Sequence, residues 1–178
     1  MGPANPLWAT PTGYAATMVG FPYDGLEQWR SIYPPEVFIA QFTKVADGFD
    51  AALAELRQGI TSAAMSEAER KAIEEEMLVD EACAIHFRSV ANQSQFIVSR
   101  DALAKATSKE DKANLVKTLV SLLHSELDLA KRLYALQTRD SRLGFEASNH
   151  YFFVPLDLAA KVVNCEDLLD HWLPSLRK

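Results

Sequence analysis

Residues 66–103, SEAERKAIEEEMLVDEACAIHFRSVANQSQFIVSRDAL, contain neither glycine nor proline. Ser66-Glu67-Ala68-Glu69 has the form of a capping box, in which the Ser66 hydroxyl and the Glu69 carboxylate each satisfy backbone N–H groups that a helix start leaves open. Met77, Ala84, Phe87, Ala91 and Val98 then carry an apolar face to about Leu103. The spacing predicts one helix over 66–104, ~50 Å long at 1.5 Å per residue. A helix of that length belongs to an antiparallel bundle, or overhangs its own domain to brace another.

Outward from this helix, the breakers are unevenly placed. Pro3, Pro6, Pro11, Pro22, Pro34 and Pro35 crowd the start of the chain; the next proline is Pro155, and no glycine falls between Gly59 and Gly144. Proline removes a helical donor and clashes with the preceding turn, so its absence permits long helices. A helix over 34–60 should open at Pro34-Pro35 and carry Val37, Phe38, Phe42, Val45, Phe49, Leu53, Leu56 and Ile60 at three- and four-residue steps. Gly48 inside it suggests the close approach of another helix, and Gly59 a stop. A third helix over 108–138 starts at the cap-like Ser108-Lys109-Glu110-Asp111, and a fourth over 155–173 follows Pro155. At most Tyr151 to Val154 is extended. The expected fold is all-α: an antiparallel bundle of four principal helices over residues 34–178, preceded by an irregular, aromatic-rich arm over 1–33. That arm carries Trp8, Tyr14, Phe21, Tyr23, Trp29 and Tyr33. Rings in such number argue for an ordered segment, with Trp8, Phe21 and Trp29 as anchors on this chain's own helices or on a neighbouring domain.

The chain has 178 residues, 18 Lys+Arg and 24 Asp+Glu, a net charge of −6. An acidic chain has no long-range attraction for phosphate backbones, so nucleic acid is excluded as a partner. No run of about 18 apolar residues is present, and the start lacks the basic and apolar regions of a signal peptide. The expectation is a soluble chain, cytoplasmic by default, with no membrane partner. Cys83 and Cys165 form no metal-type spacing and read as two buried thiols or a disulfide. No pair of the four histidines has ligand spacing, and no phosphate-binding loop or nucleophile elbow occurs, so neither metal nor cofactor is expected.

Two polar groupings stand out. His86, Gln93 and Arg100 recur every seven residues, with Asn92 and Gln95 beside them, and so share one helix face. They form either a polar stripe pairing across helices or a groove for a hydroxyl-rich ligand. The linker Arg139–Phe153 mixes Arg142, Glu146, Asn149, His150 and Tyr151 with Phe145, Phe152 and Phe153. Rings beside amides, imidazole and charges suit a carbohydrate subsite, where faces stack on C–H surfaces and polar atoms read hydroxyls. They equally suit a structural cluster in which Asp140 and Glu146 pair with Arg139 and Arg142. Those five residues are the candidate ligand-binding set.

Gly2-Pro3-Ala4-Asn5-Pro6-Leu7-Trp8, Pro11-Thr12-Gly13-Tyr14, Gly20-Phe21-Pro22-Tyr23-Asp24, Trp29-Arg30-Ser31-Ile32-Tyr33-Pro34 and Asp140-Ser141-Arg142-Leu143-Gly144-Phe145-Glu146-Ala147-Ser148-Asn149-His150-Tyr151 carry a resemblance. Together they resemble the C-terminal helical region of large bacterial glycoside-hydrolase-like proteins. The resemblance implies a preceding (β/α)₈ barrel that carries the hydrolytic carboxylates, for which this chain has no room. It implies a helical domain that is non-catalytic alone and packs on a barrel, in the same polypeptide or as a split-gene partner, with Asn149, His150 or Tyr151 lent to a sugar site. Gly2-Pro3-Ala4-Asn5 then reads as a cut end. The alternative is an autonomous helical module whose arm recruits a partner protein.

Overall fold

The computed structural model describes residues 2–14, 24–62, 64–146 and 150–176, with the side chains of Trp29, Glu146 and His150 outside the description. The order is α1 (Leu26–Arg30), α2 (Pro35–Ser62), α3 (Glu67–Lys105), α4 (Lys109–Arg139), β1 (Phe145–Glu146), β2 (His150–Tyr151), α5 (Pro155–Asp167), a π-helical turn (Leu168–Trp172) and α6 (Leu173–Ser175). The protein is all-helical apart from the two-residue strands β1 and β2. These pair antiparallel, with Phe145 opposite Tyr151 and Glu146 opposite His150.

The caps set the long helices. Ser66 accepts from the Glu69 amide while Glu69 accepts from the Ser66 amide, completing the capping box of α3. Ser108 accepts from the Asp111 amide at the start of α4. Pro155 begins α5, and Asp157 reaches back to the Val154 amide at 2.8 Å.

Consecutive long helices run antiparallel. Arg57 meets Glu81 and Arg88 meets Asp50, so α3 ascends as α2 descends. Phe87 stacks on both Phe42 and Phe49 along the same seam. Glu81 meets Arg132, and Ser89 meets Glu126, which sets α4 against α3. Leu158 packs with Leu133 and Leu136, whereas Cys165 and Leu168 pack with Leu119 and Leu123, which sets α5 against α4.

Five details depart from the sequence expectation. The fourth helix does not run unbroken to 173 but passes into a π turn at Leu168. Gly48 has open space around it rather than a neighbouring helix, and α2 continues past Gly59 to Ser62. The arm contains a regular element, α1. Trp8 is not an anchor: it is 43% exposed, and among the described residues of the arm the buried ones are Gly2, Pro3, Leu7 and Leu26. Phe21 and the Trp29 side chain lie outside the described residues.

Two apolar clusters stand out in the core among the described residues. Leu7, Phe96, Leu119, Leu123, Cys165, Leu168 and Leu173 form one. Leu78, Ile85, Leu129, Leu133, Leu136 and Leu158 form the other. Ser89 and Gln93 on α3, Glu126 on α4 and Lys161 on α5 fall between them along each helix, and all four are buried.

Candidate functional site

The layer between the clusters is a closed polar network. Lys161 Nζ lies 3.2 Å from Glu126 Oε2, both side chains essentially without solvent contact. Ser89 Oγ donates to Glu126 Oε2 at 2.8 Å, and Asn92 Nδ2 donates to Glu126 Oε1 at 3.0 Å. A buried carboxylate and ammonium are tolerable only when their remaining lone pairs and protons are satisfied. The arm supplies what is still missing: Lys161 donates to the Asn5 carbonyl, and Gln93 donates to the Gly2 carbonyl.

The same face continues to hold the arm. Asn164 accepts from the Leu7 amide at 2.8 Å and donates to the Leu7 carbonyl at 3.0 Å, as one strand would to another. Arg100 donates to the Trp8 carbonyl and to Asp24 Oδ2, each at 3.1 Å, and Asp24 in turn accepts from the Thr12 amide. Burial works against Asp24 ionising, but the hydrogen bonds from Thr12 and Arg100 outweigh it and hold its carboxyl below the ordinary carboxylate range. His86, Gln93 and Arg100 are therefore a stripe aimed at the chain's own N-terminal backbone: Gly2 sits against the His86 ring, where an added Cβ would come within 3.3 Å of Cε1.

Clamping residues 2–5 in this way builds one wall of a cleft of about 540 Å³. Val79, Ala82, Cys83 and His86 of α3 form its floor, and Leu143, Gly144, Phe145, Phe152 and Phe153 of the hairpin form the opposite wall. Gly144 is at φ +82°, and a Cβ there would sit 2.5 Å from the Phe153 carbonyl oxygen, so only glycine allows the hairpin to close. Gln137 Nε2 pins the base of that wall by donating to the carbonyls of Leu143 and Phe153 at 3.0 and 2.8 Å. Inside the cleft, burial and then Asp80 push the Cys83 thiol up. His86 is exposed at the cleft, and partial desolvation, followed by the positive charge of the N-terminus, pulls its pKa below the ordinary histidine value.

Of the five candidate ligand-binding residues, Arg142 and Tyr151 have described side chains, and neither lines this cleft. Arg142 is exposed and forms a pair with Asp140, its Nε 2.9 and 3.0 Å from the two carboxylate oxygens. The Arg142 hydrogen bonds hold the half-buried Asp140 carboxyl down to about 2. Tyr151 is exposed with its ring edge-on to Phe145. Glu146 and His150 face each other as backbone partners, with their side chains outside the described residues, as is all of Asn149.

Glu126 and Lys161 were missed by motif reading, although a signal exists. Glu126 continues the steps Leu119, Leu123, Glu126, Ala130, Leu133, and Lys161 continues Leu158, Lys161, Cys165, Leu168. Two opposite charges placed on apolar stripes mark a buried pair. Among the described residues, no three of His, Cys, Asp and Glu are placed to hold a metal ion, and no helix is long and apolar enough to cross a membrane.

No family model, no curated protein and no solved structure matches the chain.

Proposed function

We propose that the chain is an accessory helical domain of a bacterial carbohydrate-active, glycoside-hydrolase-like protein, an antiparallel four-helix bundle that docks on a barrel and hydrolyses nothing by itself. One observation carries this reading. The resemblance resides at the two ends of the sequence, and Gly2–Asn5 face Leu143, Gly144, Phe145, Phe152 and Phe153 across one cleft. Residues that carry a family likeness gather in space when they build a shared surface. The rim of that surface presents Phe145 and Tyr151 as exposed rings, next in sequence to the Arg142–Asp140 pair, which suits stacking on a sugar face with hydroxyls read at the edge. Glu126, Asp24 and Asp140 are each committed to a cationic partner, which leaves them poorly suited to act as a hydrolytic pair.

A second reading, a protein-interaction module, is favoured by the outer face of α5. Leu156 and Val163 are 76% and 65% exposed, and Phe152 beside them is 66% exposed. Calorimetric titration with a panel of neutral oligosaccharides, alongside hydrolysis assays on nitrophenyl glycosides, separates the readings. The accessory-domain reading predicts no turnover and a weak, saturable sugar affinity that Tyr151→Ala abolishes. Turnover by the chain alone, or a Tyr151→Ala variant that binds as well as the parent, contradicts it; absence of all sugar binding favours the interaction module.

A further inference from the structure

We propose that the cleft between the arm, α3 and the hairpin is a binding site for a small uncharged ring compound carrying a single hydroxyl or carbonyl, with His86 as its hydrogen-bonding anchor. The size is that of small-molecule sites, which commonly span about 300–1,000 Å³. No Asp, Glu, Lys or Arg lines it among the described residues. A charged ligand would lose hydration there and meet no charged side chain among these lining residues, and the chain's net charge of −6 further disfavours anions. The walls offer Val79 and Ala82 as flat aliphatic surface and Phe145, Phe152 and Phe153 as rings, an arrangement that accepts a planar or alicyclic body. A polyhydroxylated ligand fits poorly, because among the described residues the polar side chains lining the cleft are Asn5, Cys83 and His86.

His86 is suited to the anchoring role. Its ring nitrogens have no hydrogen-bond partner among the described residues, and desolvation lowers its pKa, which favours the neutral ring that can donate to or accept from one uncharged oxygen. The arm holds the site together from the far side: the hydrogen bonds from Gln93 and Lys161 to the carbonyls of Gly2 and Asn5 fix that wall without consuming His86. This inference does not depend on the carbohydrate reading, since it concerns the cleft and not its rim.

The test uses the full chain with naphthalene and 2-naphthol as probes, followed by quenching of their fluorescence. Saturable binding at one site per chain is expected, with 2-naphthol tighter by about tenfold, the worth of one added hydrogen bond. Ala82→Trp should fill the cleft and weaken both probes at least tenfold while melting stays within a few degrees. Val79→Trp, at an exposed rim position, is the second filling variant should Ala82→Trp fail to fold. His86→Leu should keep naphthalene binding and erase the preference for 2-naphthol. Non-saturable binding, or affinities unchanged in a folded filling variant, overturns the site; a preference for 2-naphthol that survives His86→Leu overturns the anchor.

Discussion

Lys161 and Glu126 are the residues on which the interior turns. Each is buried, each is the other's ion-pair partner among the described residues, and the pair is completed by Ser89, Asn92 and the Asn5 carbonyl. Such a pair contributes little net stability relative to apolar residues of similar volume, but removing one partner leaves an uncompensated charge. Lys161→Met is expected to destabilise the protein by about 3–5 kcal/mol, and Glu126→Leu combined with Lys161→Met to recover most of that loss. Urea unfolding midpoints of the two variants check this. A Lys161→Met protein as stable as the parent would mean that Glu126 finds another partner or a proton at no cost. The pair was legible only as two charges out of place on apolar stripes. The carbonyls that complete it carry no side-chain signature, so nothing in residues 2–5 announced them.

At the scale of elements, the long helices were the most legible feature, because their ends are chemical. Ser66 with Glu69, Ser108 with Asp111 and Pro155 with Asp157 stand where the helices begin. The π turn at Leu168–Trp172 has no comparable signal. The arm was half legible. Its rings announced packing, yet among the described residues the buried contacts belong to Gly2, Pro3, Leu7 and Leu26, and the grip is polar, through Gln93, Arg100 and Asn164. The seven-residue recurrence of His86, Gln93 and Arg100 pointed to the correct face without naming its occupant. Arg100 also latches the later part of the arm through Asp24, whose folded pKa lies below the ordinary value of 3.8. A carboxyl depressed in the folded state stabilises above its unfolded pKa, and that stabilisation is lost as pH falls through the folded value. Urea midpoints should therefore fall between pH 5 and pH 2 more steeply for the parent than for Asp24→Asn; equal slopes would show that Asp24 does not contribute to acid sensitivity.

At the scale of the whole molecule, the first residues of the chain are an interior component of a helical protein. They cap a polar layer that separates two apolar clusters, contribute Leu7 to one cluster, and wall the cleft that the hairpin closes from the other side. Candidate ligand chemistry, rim and cleft alike, depends on that docking. The hairpin side of the site was visible in the sequence through its mixture of rings and charges; the arm side was not, because its contribution is backbone and shape. The most direct test is amide hydrogen exchange at Leu7, whose N–H is bonded to Asn164 more than 150 residues away in sequence. The account predicts strong protection of that amide in the parent, comparable to the adjoining helices, and its loss in Asn164→Ala while the amides of α3 and α4 stay protected. Rapid exchange at Leu7 in the parent would contradict it.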